Sequence, residues 1–163
     1  MEVHKKVNKK LPLICAALLV MIVLTACGED PALTQFRKSM DDFCTKISEI
    51  DTSINGIDAQ SENAKSELLG YLDDLDAAFQ TFAGLDFPDE FNYLEDLARE
   101  SSEYMTEAIK SYHDAYGGDS YDEAIAEYAK QNYSRAYKRV QIIISFLHGE
   151  EPTDADLTIE YNN

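Results

Sequence analysis

From residue 31 onward, apolar side chains recur in steps of three and four. Leu33, Phe36, Met40, Phe43, Ile47, Ile50 and Ile54 form one unbroken stripe, the spacing of a helix that buries a single face. Asp30 is placed to cap that helix and Pro31 to occupy its first turn. Asn55-Gly56 supplies a stop. A second stripe runs through Ala64, Leu68, Tyr71, Leu72, Leu75, Ala78, Phe79 and Phe82. Its helix is expected to begin at Asp58 and end before Gly84. Gly70 falls in its middle, and close approach of a neighbouring helix would be one reason for a glycine there.

The third stripe comprises Phe91, Leu94, Ala98, Ser101, Met105, Ala108, Tyr112 and Ala115. Pro88 is expected as its first residue, with Asp89 and Glu90 favoured beside the helix N-terminus. The fourth stripe, Ala126, Ala129, Tyr133, Ala136, Val140, Ile143 and Leu147, follows the capping-box pattern Ser120-x-x-Glu123 and stops at Gly149. The expected helices are 31–55, 58–83, 88–116 and 120–148. Each would be roughly 38–43 Å long at 1.5 Å per residue. Connections of only a few residues force successive helices to run antiparallel. No segment alternates with period two. The expected fold is therefore all-α, an up-down-up-down antiparallel four-helix bundle over 31–149. Residues 150–163 are acidic, lack a stripe and are expected to stay disordered.

The N-terminal pattern is of another kind. Lys5, Lys6, Lys9 and Lys10 precede an apolar run over 11–24 that only Pro12 interrupts. A basic start and a short apolar core make a secretory signal. The run falls short of the roughly 20 apolar residues that span a bilayer comfortably. It ends in Leu24-Thr25-Ala26-Cys27. This resembles the lipobox of bacterial lipoproteins, an aliphatic residue and two small residues before an obligatory cysteine. The resemblance covers only this segment. It implies removal of 1–26 by cleavage between Ala26 and Cys27, and a diacylglycerol thioether on the Cys27 sulfur. The chain would then be held on the outer face of a cell membrane through that lipid, with 27–30 a short linker. Two acyl chains meet the usual requirement for stable anchoring.

Charge narrows the partners. The chain carries 31 acidic and 14 basic side chains, a net charge of −17. Losing Lys5, Lys6, Lys9, Lys10 and Glu2 with the signal would bring it to −20. Nucleic acid is excluded as a partner, because phosphate recognition needs clustered lysine and arginine. Cys15 would leave with the signal and Cys27 would carry lipid, so Cys44 would be a solitary, buried thiol.

Known catalytic and cofactor patterns are missing. Di-iron bundles need Glu-x-x-His on facing helices, whereas Lys110 and Ser145 stand three residues before His113 and His148. No Cys-x-x-Cys-His, Gly-x-Ser-x-Gly or His-Glu-x-x-His run occurs. The carboxylates from Asp73 to Asp76 and from Asp86 to Asp96 lack the spacing of an EF-hand loop. The expectation is a non-enzymatic protein without cofactor or metal. Tyrosine is the excess that remains. Tyr112, Tyr116, Tyr121 and Tyr128 are expected to meet at the membrane-distal end, either filling the bundle boundary with rings in the core and hydroxyls in water or forming a candidate surface for an envelope protein partner. The alternative is a helical bundle that binds or senses a small ligand between its helices.

Overall fold

The computed structural model describes residues 30–118 and 120–150. Residues 1–29, with the expected signal and lipobox including Ala26 and Cys27, and residues 151–163, the expected tail, lie outside the described residues. The described chain is all-helical: four long helices, and no strand among the described residues. They are α1 (Pro31–Asn55), α2 (Ala64–Ala83), α3 (Glu95–Gly117) and α4 (Glu123–Leu147). A 3₁₀ segment, Asp89–Leu94, leads into α3. None of the described helices is long and apolar enough to cross a membrane.

The ends of α1 and α4 follow local chemistry. Asp30 accepts a hydrogen bond from the Ala32 amide at 2.9 Å, and Pro31 fills the first turn. Beyond the C-terminal end of α4, Gly149 adopts φ +74°. That turn lets the Glu150 amide bond the Ser145 carbonyl and the Gly149 amide bond the Phe146 carbonyl, both at 2.9 Å. The pair is a Schellman closure, which needs a left-handed residue and so favours glycine.

Three boundaries differ from the sequence expectation. The second helix starts at Ala64, not Asp58. Asp58 instead accepts from the Gln60 amide at 3.0 Å, and Ser61 accepts from the Asn63 amide at 3.2 Å. Short polar side chains that bond nearby backbone compete with helix, and 58–63 has no apolar face to repay folding into one. The third helix is preceded by a 3₁₀ turn in place of a continuous α-helix from Pro88. Residues three apart eclipse in a 3₁₀ turn, which turns Phe91 and Leu94 inward together. The cap of α4 is Asp122, whose carboxylate accepts from the Ala124 and Ile125 amides at 3.0 and 3.1 Å. Ser120 is an exposed residue of the preceding bend, so the expected capping box does not form.

The core joins all four helices. Aromatic rings set the α1–α2 contact: Phe43 stacks on Phe82 with centroids 4.5 Å apart and meets Phe79 edge-on at 5.4 Å. Phe36 packs on Phe87 at 4.8 Å and on Phe91 at 6.2 Å. Leu85 is partly buried and Phe87 buried, so the 84–88 turn covers an end of the core. The α3–α4 contact is built differently. Small side chains are buried on both helices: Ala98, Ser101, Ala108 and Ala115 on α3, and Ala126, Ala129 and Ala136 on α4. Small side chains let helix axes approach closely, and this pair makes the most extensive interface of the four helices. Polar links add register. Asp73 meets His113 at 2.7 Å and Asp76 accepts from Thr106 at 2.7 Å. Arg139 meets Glu100 at 2.6 Å while its guanidinium lies 4.3 Å from the centre of the Tyr104 ring. The expected close approach at Gly70 is not found: the residue is exposed, and a Cβ there would meet nothing within 4 Å.

Candidate functional site

The last turns of α3, the 118–122 turn and the first turns of α4 carry the tyrosines singled out by the sequence. The Asp122 amide bonds the Ala115 carbonyl at 3.0 Å. That bond folds the turn back on α3, and it brings the Tyr121 ring onto Tyr116 with centroids 5.0 Å apart. From α2, the Lys65 ammonium donates to the Tyr116 carbonyl. A cation thus satisfies one of the carbonyls left open at a helix C-terminus.

Tyr112 lies one turn deeper. Its hydroxyl is pushed up to about 12, first by burial and then by Tyr121, Tyr116 and Glu127 nearby. Tyr116 is raised in the same direction by burial and by Tyr121. These three tyrosines are therefore one cluster. Tyr128 stands on the exposed surface of α4, and no ring contact joins it to the other three. Beneath the cluster, Tyr133 and Tyr137 pack with centroids 4.7 Å apart, and Tyr137 meets Phe79 at 5.4 Å. Burial raises the Tyr133 hydroxyl strongly, and Asp51 of α1 adds to it. The Asp51 carboxyl is itself raised by burial.

The outer part of this region is unusually apolar for surface. Four large apolar side chains are exposed among the described residues, and three of them, Tyr121, Ile125 and Tyr128, fall within one short segment. They are 55%, 36% and 48% exposed. Ile125 escapes the sequence reading, which follows only the buried stripe through Ala126 and Ala129. Its signal is its spacing, four residues after Tyr121 and three before Tyr128. The fourth, Tyr93, sits elsewhere, edge-on to Phe146 at 5.5 Å.

A second feature is a groove of about 370 Å³ between α1 and α2. Buried Phe43, Ala78 and Phe82 line it together with Asp42, Lys46 and Asp74. Among the described residues, no group of three His, Cys, Asp or Glu side chains is arranged to hold a metal ion. The Cys44 thiol is buried in the core. Compared with protein-family models, with curated proteins and with solved structures, the chain matches none.

Proposed function

We propose that this chain is a lipid-anchored, extracytoplasmic lipoprotein whose helical domain is a non-catalytic interaction module of the cell envelope. The domain is an up-down-up-down antiparallel bundle. Contact pairs support that topology. Phe36 meets Phe87 and Phe43 meets Phe82 between α1 and the following segment. Asp73 pairs with His113 and Asp76 with Thr106 between α2 and α3. Tyr93 meets Phe146 and Glu100 meets Arg139 around α3 and α4. In each set one number rises as the other falls.

The observation that carries the reading is the concentration of exposed apolar side chains at Tyr121, Ile125 and Tyr128 beside Tyr116. Aromatic anchors of this kind are what protein interfaces use. Geometry relative to the anchor agrees. The lipid on Cys27 would lie three residues before Asp30, at the start of α1, while Asp51 near the end of α1 neighbours Tyr133 in the tyrosine layers. The surface would then stand roughly 35 Å from the membrane, about one helix length.

Two experiments test the proposal. Cys27→Ser should move the chain from the membrane fraction to the soluble one and abolish incorporation of labelled palmitate. Crosslinking in intact cells, with mass spectrometry of what is captured, should return a reproducible envelope partner. Tyr116→Ser/Tyr121→Ser/Tyr128→Ser should lose it, and retention of the partner by that variant would reject the surface. A second reading, small-ligand binding, is favoured by the groove between α1 and α2. Native mass spectrometry of the full chain would reveal a retained ligand, and Ala78→Phe, which fills the groove, should release it.

A further inference from the structure

We infer that the partner segment received by Tyr116, Tyr121, Ile125 and Tyr128 is cationic, a lysine- or arginine-bearing stretch of protein. The inference rests on the interaction reading above and names its partner chemistry.

The segment is acidic, with cations at its margins: Lys110 and Lys130 in the sequence and Lys65 at the Tyr116 carbonyl. Between residues 111 and 129 the chain has five carboxylates, Asp114, Asp119, Asp122, Glu123 and Glu127, and no lysine or arginine. Asp122 is engaged in capping α4, and Glu127 meets Lys130 at 3.2 Å across an exposed pair. Exposed Asp114 and Glu123 form no ion pair with any described residue. In the sequence the exposed rings are therefore interleaved with carboxylates that a visiting cation would neutralise. Tyrosine faces attract ammonium and guanidinium groups through their π quadrupole.

The fold already pairs a cation with a tyrosine face and a carboxylate. Arg139 lies over the Tyr104 ring at 4.3 Å while Glu100 holds it at 2.6 Å. Lys65 reaches the open carbonyl of Tyr116 at the edge of the surface itself. Tyrosine rings exposed in an acidic segment thus offer an incoming arginine the two kinds of group that Arg139 meets internally. A second copy of this chain is a poor occupant, because two molecules of charge −17 repel at close range. Apolar area at Ile125 and Tyr128 favours a peptide with side chains to bury over a simple ion.

The test measures fluorescence anisotropy of a labelled twelve-residue peptide repeating Arg-Ala-Ser, titrated with the full chain in non-ionic detergent. A counterpart with citrulline for arginine keeps shape and removes charge. The arginine peptide should bind, weakening with salt, and the citrulline peptide should bind at least tenfold less. Tyr121→Ser/Tyr128→Ser should cost at least tenfold, while Tyr121→Phe/Tyr128→Phe, which keeps the rings, should stay within threefold. Asp114→Asn/Glu123→Gln should cost about tenfold, and Asp86→Asn/Asp89→Asn, an equal change of charge elsewhere, less than twofold. Circular dichroism of each variant identifies loss of helix as a separate cause.

Absence of arginine-peptide binding overturns the inference. So does equal weakening by the two charge-neutralised pairs, which would mean attraction to the molecule as a whole. Full competition by millimolar tetramethylammonium would assign the surface to small cations and overturn the peptide. Equal binding of the citrulline peptide, still lost on removing the tyrosines, would overturn the cationic partner yet leave the interaction surface intact. Binding of both peptides that ignores the tyrosines would reject both.

Discussion

Gly70 occupies the middle of α2 with open space where a side chain would begin. Its backbone is not in the left-handed region, so alanine fits without strain. Gly70→Ala should stabilise the fold by about 0.5–1 kcal/mol, the difference in helix propensity, read as a higher urea midpoint with unchanged slope. Tyr112 makes a prediction about alkali. Its folded hydroxyl holds a proton to about 12, against 10.0 for an ordinary tyrosine. Between those values the unfolded chain has released the proton and the folded chain has not, so stability is intact below the window and falls as pH rises through it. The tyrosinate absorption band should show late-titrating tyrosines in the folded protein, and Tyr112→Phe should reduce that late amplitude while Tyr133 and Tyr116 keep the rest. At this scale the site is half legible in sequence. Tyr112, Tyr116 and Tyr121 flank one turn, so their meeting follows from joining two helices there. Tyr128 is singled out by its residue type, but its exposure and that of Ile125 are not: their spacing from Tyr121 puts them on one side of the helix without saying whether that side is buried.

The helices pair in two styles, and stability should respond to each differently. Between α1 and α2 large rings hold the backbones apart, with a groove left beside Phe43 and Phe82. Phe79 is fully buried where α1, α2 and α4 meet, touching Phe43 and Tyr137. Phe79→Ala should cost about 3–5 kcal/mol, the usual penalty for emptying a packed aromatic site, measured by chemical denaturation. The existence of all four helices is legible in the chain, because each carries a stripe long enough to outweigh its glycines. The ends are less so. Asp58 resembles a cap because caps and turns use the same short polar residues, and only tertiary burial decides between them. The 3₁₀ entry to α3 depends on seating Phe91 against Phe36, a contact between residues far apart in sequence.

At the scale of the whole molecule, acidic side chains outnumber basic ones 25 to 10 between residues 30 and 150, around an apolar core. Like charges repel more in the compact state than in the open chain, and salt screens that repulsion within about 10 Å at 0.1 M. Raising sodium chloride from low to half-molar strength should lift Tm by roughly 2–5 °C, which calorimetry would show. The arrangement of contacts has a kinetic meaning as well. Each helix packs most extensively against its neighbour in the chain, and the alanine-lined α3–α4 pair leads. Chains dominated by such local closures have little loop entropy to overcome and fold in microseconds to milliseconds. The α3–α4 pair is then the natural nucleus, so Ala129→Gly should chiefly slow refolding in stopped-flow, whereas Phe36→Leu, which touches the segment entering α3, should chiefly speed unfolding. A newly synthesised chain built this way would bury its apolar stripes almost as soon as they emerge, leaving Tyr121, Ile125 and Tyr128 as the apolar side chains of this segment that water still reaches.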